Sequence, residues 1–164
     1  WILVGVTVCR KNFKEISMPV AHINVLQGHS KDVLKRVIRD VSTVMVEVLA
    51  APKDRLEIWV TEIDPDLWGI AGEPASEVLK TRPRGQVEMP YIEMVLMEGR
   101  SLAQHHQLIA AVTDVIEKNL GTERNRIRVH IANCTPDHWG IGGIPAAISR
   151  KAEIEARKIE VGGA

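Results

Sequence analysis

The sequence repeats itself when it is shifted by 71 residues, and the two copies align without a gap. Between residues 19–79 and residues 90–150, 16 of 61 aligned positions are identical. The most similar stretches are "PDLWGIAGEPA" and "PDHWGIGGIPA", which begin at Pro65 and Pro136. A repeat of this length indicates one supersecondary unit that occurs twice, so the fold of the first copy constrains the fold of the second.

Each copy has the pattern of a β-α-β unit. In the first copy, residues 19–26 are rich in β-branched side chains, which predicts a strand. Apolar residues recur at helical spacing over residues 31–50 and predict an amphipathic helix. Residues 56–63 predict a second strand, and the following "WGIAGEP" predicts a short hairpin.

Residues typical of helix ends support these boundaries. Ser30 is a suitable N-cap for the first helix, and Pro52 is predicted to terminate it. In the second copy, Ser101 and Gln104 have the spacing of a capping box, and Gly121 fits a helix stop.

The repeat predicts an α/β fold in which two tandem β-α-β units form a four-stranded sheet with two helices on one face. The strands within each unit are expected to be parallel. The other face of the sheet then needs a partner, which favours a homo-oligomer. The predicted organisation is an N-terminal extension at 1–18, units at 19–79 and 90–150, a linker at 80–89 and a tail at 151–164.

The charge, cysteine and histidine patterns and the length of the apolar N-terminal stretch give no indication of a nucleic-acid partner, a metal site or a membrane span. Lys plus Arg and Asp plus Glu each number 21, so the sequence lacks the basic excess of a nucleic-acid-binding protein. Cys9 and Cys134 form neither a disulfide framework nor a zinc motif, and a reducing cytoplasm is expected. Adjacent residues His105 and His106 point about 100° apart on a helix, so no metal site is predicted. The apolar residues 1–8 are too few to span a membrane.

A Met-Pro pair precedes the first strand of each copy, at Met18-Pro19 and Met89-Pro90. Proline is tolerated at the head of a strand, which is a sufficient explanation for Pro90. Removal of Met18 and everything before it would leave Pro19 as an N-terminal secondary amine. An α-amino group titrates near about 8, and cationic neighbours with apolar surroundings would lower its pKa, so that it could act as a base at neutral pH.

The stretch "PVAHINVLQGHS…TEIDPDLWGIAGEPAS" resembles the 4-oxalocrotonate tautomerase family, and the second copy resembles it independently. The tandem arrangement is similar to the fused members of the tautomerase superfamily. The resemblance implies an N-terminal proline base, two arginines that bind substrate carboxylates, and an aromatic side chain that lines the site. The proline position falls on Pro19 and Pro90. The other three positions are His29, Glu57 and Trp68 in the first copy, and Arg100, Arg128 and Trp139 in the second.

The second copy alone therefore retains both arginines. The resemblance implies that Pro19 meets Arg100 and Trp139 of its own chain and Arg128 of an adjacent chain, in a homotrimer with three sites. Pro19, Arg100 and Arg128 are the implied catalytic residues, and Arg100, Arg128 and Trp139 bind the substrate. The implied reaction interconverts the enol and keto forms of a 2-hydroxydienoate or related carboxylic acid without a cofactor.

Three alternatives remain open at the level of sequence. A hydratase or dehalogenase would need a carboxylate to activate water, and four acidic residues lie near the first or second hairpin without matching a motif: Glu62, Asp64, Asp66 and Asp137. If residues 1–18 stay attached, Pro19 is an amide without basicity and the protein is a non-catalytic binding module, in which residues 1–8 could add an edge strand. The arginines could form surface salt bridges, and the tryptophans could pack at an interface.

Overall fold

The computed structural model describes residues 19–162, with side chains as far as residue 156. The N-terminal extension at 1–18, with the edge strand that residues 1–8 could add in the binding-module alternative, and the last two residues of the tail lie outside the described residues.

Both copies form the expected β-α-β unit, each followed by a small hairpin and one helical turn. The first unit consists of β1 (Val20–Leu26), α1 (Lys31–Leu49), β2 (Glu57–Ile63), β3 (Gly69–Ile70), β4 (Glu73–Pro74) and α2 (Ala75–Val78). The second consists of β5 (Tyr91–Met97), α3 (Leu102–Leu120), β6 (Arg128–Cys134), β7 (Gly140–Ile141), β8 (Ile144–Pro145) and α4 (Ala146–Ser149). A further helix, α5 (Lys151–Gly162), ends the described chain.

The four long strands form one sheet in the order β2-β1-β5-β6. The strands of each unit are parallel, as predicted, while β1 and β5 pair antiparallel at the centre, where Val20 faces Val95 and Asn24 faces Tyr91. The two units are therefore related by an approximate two-fold axis between β1 and β5. The sheet has two ends: β1 and β2 begin where β5 and β6 finish.

The core lies between the sheet and the two long helices. It contains alternate residues of the central strands, Ala21, Ile23 and Val25 from β1 and Ile92, Met94 and Leu96 from β5, with the apolar stripes of α1 and α3. Alternation along a strand places every second side chain on the same face, which explains why these residues share one layer. The prediction of two helices on one face of a four-stranded sheet is confirmed.

The opposite sheet face carries polar and aromatic side chains. The rings of His22 and Trp59 stack 4.9 Å apart, and Trp59 is 41% exposed. Beside them, the Tyr91 hydroxyl donates to a Glu93 carboxylate oxygen at 3.3 Å. Desolvation, followed by the negative charge of Glu93, raises the pKa of Tyr91 above its ordinary value of 10.0. A half-exposed aromatic face of this kind suits contact with another copy of the chain.

The helix ends differ in detail from the sequence prediction. α1 ends at Leu49, one residue before the end of the predicted range 31–50, because Ala50 adopts a left-handed conformation with φ 49°. Gly121 occupies the equivalent place after α3, with φ 68°, and the capping box of Ser101 and Gln104 is present. The tail, for which no element was predicted, forms α5.

Candidate active site

The topology gathers the sequence-predicted site residues at two opposite ends of the sheet. We call these the Pro19 end, where β1 and β2 begin and β5 and β6 finish, and the Pro90 end, where the reverse holds. Because β1 and β5 are antiparallel, the residues that follow β5 lie near the residues that precede β1. Arg100, three positions after the end of β5, therefore belongs to the Pro19 end.

Backbone hydrogen bonding holds Pro19 in place at the head of β1. Pro19 is buried, and its carbonyl oxygen accepts from the backbone N–H of Glu57 at 3.3 Å. Glu57 itself is exposed at the start of β2. Its position is the one at which the family resemblance implies an arginine, so the first copy has a carboxylate where the second has Arg128.

Arg100 reaches from the end of β5 to the end of α1. Its guanidinium donates a hydrogen bond to the carbonyl oxygen of Leu49, the last residue of that helix. The last carbonyls of a helix have no partner within the helix, and they carry the negative end of its dipole. The bond therefore satisfies the helix end and orients the guanidinium at the Pro19 end.

Trp139 lies at the same end, through the hairpin of the second unit. It is half-buried and packs with Ile141 against a small cluster formed by Met97 and Ala146. Met97 is the last residue of β5, so the indole stands near the segment that leads to Arg100. One chain thus brings Pro19, Arg100 and Trp139 to one end of the sheet.

Arg128 lies at the other end of the same chain. Its backbone N–H donates to the carbonyl oxygen of Pro90 at 2.9 Å, and its exposed guanidinium donates to the carbonyl oxygen of Asn125 at 2.7 Å. The length of β6 separates Arg128 from the Pro19 end. A single chain therefore does not bring Arg128 and Pro19 together.

The Pro90 end contains a buried carboxylate that sequence reasoning missed. Glu88 is 0% exposed, and its side chain accepts from the backbone N–H of Leu26 and bonds to Nε2 of His29, both at 2.8 Å. Nη1 of Arg84 lies 3.6 Å from the same carboxylate. The His29 side chain, only 8% exposed, is thus occupied by a carboxylate of its own chain.

The segment 80–89, which contains Glu88 and which the sequence predicts to be a polar linker, is held in place by contacts with the rest of the fold. Arg126 donates to the carbonyl oxygens of Val87 and Glu88, at 2.8 and 3.3 Å. The backbone passes so close to the turn after α3 that a Cβ at Gly85 would stand 2.3 Å from the carbonyl oxygen of Gly121. The local sequence signal for this burial is the position of Glu88 in the apolar context "VEMP". A charged side chain that is buried in such a context needs a partner.

Trp68, the counterpart of Trp139, packs at the Pro90 end against a cluster that includes Leu26 and Val87. Within residues 19–156, no three His, Cys, Asp or Glu side chains are grouped so that they could hold a metal ion. In the same range, none of the helices has the length and apolar character needed to cross a membrane.

The comparison with known families agrees with the repeat. A family described as "Tautomerase enzyme" matches the chain twice, over residues 19–77 and residues 90–147. These matches cover more than half of the chain. The chain belongs to the tautomerase family.

Curated members of the family resemble one unit of this tautomerase-family enzyme. A 2-hydroxymuconate tautomerase of Comamonas testosteroni is 38% identical over 61 residues, which are 37% of this chain and 97% of that protein. A probable tautomerase of Staphylococcus aureus (strain Mu50 / ATCC 700699) is 41% identical over 56 residues, which are 34% of this chain and 92% of that protein.

Solved structures resemble both units together. A native fused 4-OT has a TM-score of 0.71 and 25% sequence identity, over 80% of this chain and 99% of that chain. A fused 4-OT described as an asymmetric trimer has a TM-score of 0.70 and 25% identity, over 80% of this chain and 98% of that chain. The resemblance stated from sequence, to a fused tandem-repeat tautomerase, is confirmed.

Proposed function

We propose that this protein interconverts the enol and keto forms of an unsaturated 2-hydroxy carboxylic acid, with the secondary amine of Pro19 as general base. The substrate class is a 2-hydroxydienoate, preferably a dicarboxylate, which is the class that the name of the Comamonas relative indicates. The observation that carries the proposal is the antiparallel pairing of β1 with β5, which brings Pro19 to the same end of the sheet as Arg100 and Trp139.

The chemistry follows from the residue types. The amine nitrogen of Pro19 takes the proton of the enol hydroxyl and returns a proton to a carbon of the conjugated chain, so no cofactor is needed. Arg100 binds a substrate carboxylate through its planar fork, and Trp139 limits the access of water. A positive guanidinium near the amine also favours its neutral, basic form.

This mechanism requires a mature chain that begins at Pro19, because a proline within a chain is a tertiary amide. Intact mass and N-terminal sequencing of the purified protein determine the first residue. With Pro19 first, Pro19→Ala exchanges the rigid secondary amine for a primary one, so kcat should fall by about 10²-fold, the lower end of what a general base contributes. The matched variant Pro90→Ala should keep kcat within about twofold, since Pro90 cannot be a base. Equal losses in both variants would contradict the assignment.

We further propose that three chains form a trimer in which Arg128 of one chain completes the Pro19 site of the next. The support is the placement of Arg128 at the Pro90 end, together with the similar fused 4-OT structures, which are described as trimers. In this arrangement Arg128 polarises the end of the substrate that carries the carbonyl, and Arg100 holds the distal carboxylate.

Mixing inactive chains tests this sharing. A Pro19→Ala chain and an Arg128→Gln chain, unfolded and refolded together in equal amounts, should regain up to about a quarter of wild-type activity if each site takes Arg128 from a neighbour. Each variant refolded alone is the control. No recovery in the mixture, with trimers confirmed by mass, would mean that the two residues do not meet across chains.

The alternatives make different predictions for the same preparations. A hydratase or dehalogenase would release a hydrated product or halide from an unsaturated acid, which product analysis detects. A mature chain that retains residues before Pro19 and shows no turnover would support a non-catalytic binding module.

A further inference from the structure

Helix α5 lies beyond residue 147, where the family match ends, and contacts the Pro19 end. Its Ile154 packs against the cluster of Met97 and Ala146 that also holds Trp139. Arg150 alone separates this helix from α4, and its carbonyl oxygen accepts from the Ile154 N–H at 3.0 Å. An element outside the repeat therefore borders the proposed active site.

The helix carries a carboxylate that lies between two guanidinium groups. One oxygen of Glu153 is 3.2 Å from Nη1 of Arg55, and the other is 3.1 Å from Nη1 of Arg150. Glu153 is 25% exposed and Arg55 is 17% exposed, so both are partly shielded from water. Shielding strengthens such pairs relative to those on an open surface.

Arg55 is close to Pro19 in the fold. It precedes β2 by two residues, and the first residue of that strand, Glu57, donates its N–H to the carbonyl oxygen of Pro19. Because β1 and β2 are parallel, the segment before β2 lies at the end of the sheet where β1 begins. Arg55 is thus an additional guanidinium at the Pro19 end, and it already binds a carboxylate.

The two ends of the sheet hold an internal carboxylate in different ways. At the Pro90 end, Glu88 is fully buried and receives a backbone N–H bond as well as side-chain partners. At the Pro19 end, Glu153 is partly exposed, and the hydrogen bonds recorded for its side chain come from Arg55 and Arg150. The first carboxylate is held by a backbone bond as well as by side chains, whereas the second is held by two guanidinium groups, which a carboxylate from solution can bind in its place.

We propose that Arg55 is a further substrate-binding residue of the Pro19 site, that it binds the second carboxylate of a diacid together with Arg100, and that Glu153 occupies Arg55 until the substrate displaces it. This inference rests on the proposed function of the site. The exchange replaces one carboxylate on the guanidinium by another and changes no covalent bond. Glu153 then competes with substrate, and Arg55 helps to distinguish diacids from monoacids.

The test compares a dicarboxylate substrate, 2-hydroxymuconate, with a monocarboxylate enol, phenylenolpyruvate. Glu153→Gln should lower KM for the diacid by about two- to fivefold, the factor expected for a partly exposed ion pair, without changing kcat. Arg55→Gln should raise KM for the diacid by about tenfold, as loss of a charge-assisted hydrogen bond does. Both variants should leave KM for the monoacid within twofold of wild type.

Two further variants separate competition from structural effects. Glu155→Gln is the matched control, because Glu155 is on the same helix but pairs only at 4.0 Å with exposed Lys151. In the double variant Arg55→Gln/Glu153→Gln, the gain from the second change should disappear. Equal effects on both acids, or a Glu153→Gln enzyme identical to wild type with the diacid, would overturn the inference.

Calorimetric titration with fumarate provides a readout that needs no turnover. Glu153→Gln should bind this non-reacting dicarboxylate two- to fivefold more tightly than wild type, and Arg55→Gln should bind it more weakly. If the wild-type protein turned over neither acid, the proposed function would fail, while the titration would still decide the role of Arg55.

Discussion

The buried Glu88 carboxylate is expected to make a large contribution to stability without taking part in catalysis. Its partners are the Leu26 N–H, His29 and Arg84, at 2.8, 2.8 and 3.6 Å. Loss of one member of a buried charged pair costs about 3–5 kcal/mol, because the groups left behind stay buried without a counter-charge. Glu88→Gln keeps an acceptor for the backbone N–H, so we expect the lower value, about 3 kcal/mol.

Urea unfolding at fixed protein concentration measures this change in free energy. Thermal unfolding gives a second measure. In a chain of this length a stability change of 1 kcal/mol shifts Tm by about 2–4 °C, so Glu88→Gln should lower Tm by about 6–12 °C. Glu77→Gln is the control, since Glu77 pairs with Lys80 on an exposed surface and should change stability by less than about 0.5 kcal/mol. Below the unfolding transition, Glu88→Gln should retain tautomerase activity, because the Glu88 side chain bonds to Leu26, His29 and Arg84 and not to Arg128, the residue of this end that the neighbouring site is proposed to use. A stability loss no larger than that of the control would refute this account of the Pro90 end.

Three further predictions concern the helix ends, the open sheet face and the segment 80–89. Ala50→Gly should raise the free energy of unfolding by about 0.5–1 kcal/mol, and Gly121→Ala should lower it by a similar amount, because both positions have positive φ. Urea unfolding curves with the same midpoint as wild type would contradict this. Glu93→Gln should lower the pKa of Tyr91 towards its ordinary value, since the negative charge of Glu93 adds to desolvation in raising that pKa. Tyr91 is the single tyrosine in the sequence, so tyrosinate absorbance during a pH titration reports its pKa directly. An unchanged or higher pKa would count against the contact between Tyr91 and Glu93. Gly85→Ala should cost about 1–3 kcal/mol in urea unfolding, because the added methyl group would meet the Gly121 carbonyl oxygen at 2.3 Å; a stability equal to wild type would show that the two segments are less closely packed.

The architecture could be predicted from the sequence because the patterns that indicate each strand and helix occur twice. The alternation in β1 and the apolar stripe of α1 recur 71 residues later, so each unit supports the interpretation of the other. The resemblance to the 4-oxalocrotonate tautomerase family located Pro19, Arg100 and Trp139, and the sheet topology brings these three to one end. Their chemical roles stay predictions that the experiments above test.

Contacts between distant segments were not accessible in this way. Arg55 and Glu153 are 98 residues apart, and neither residue differs in type from the many charged side chains of the surface. Glu88 falls within the predicted linker because residues 80–86 are polar, proline or glycine, although its burial depends on Leu26 and His29, about 60 residues away. The predicted range of α1 is one residue too long, because an alanine such as Ala50, unlike the glycine at Gly121, gives no sign in the sequence of a left-handed conformation.

The antiparallel junction between β1 and β5 also has a consequence for assembly. If the two units were separate chains, they could pair in three ways: two first units, two second units, or one of each. Only the mixed pair would place the proline of the first unit beside the arginine of the second. A covalent connection makes the unlike pairing intramolecular, at an effective concentration in the millimolar range for a short link. Fusion therefore lets the two halves diverge without a loss of correctly matched sites to mispairing.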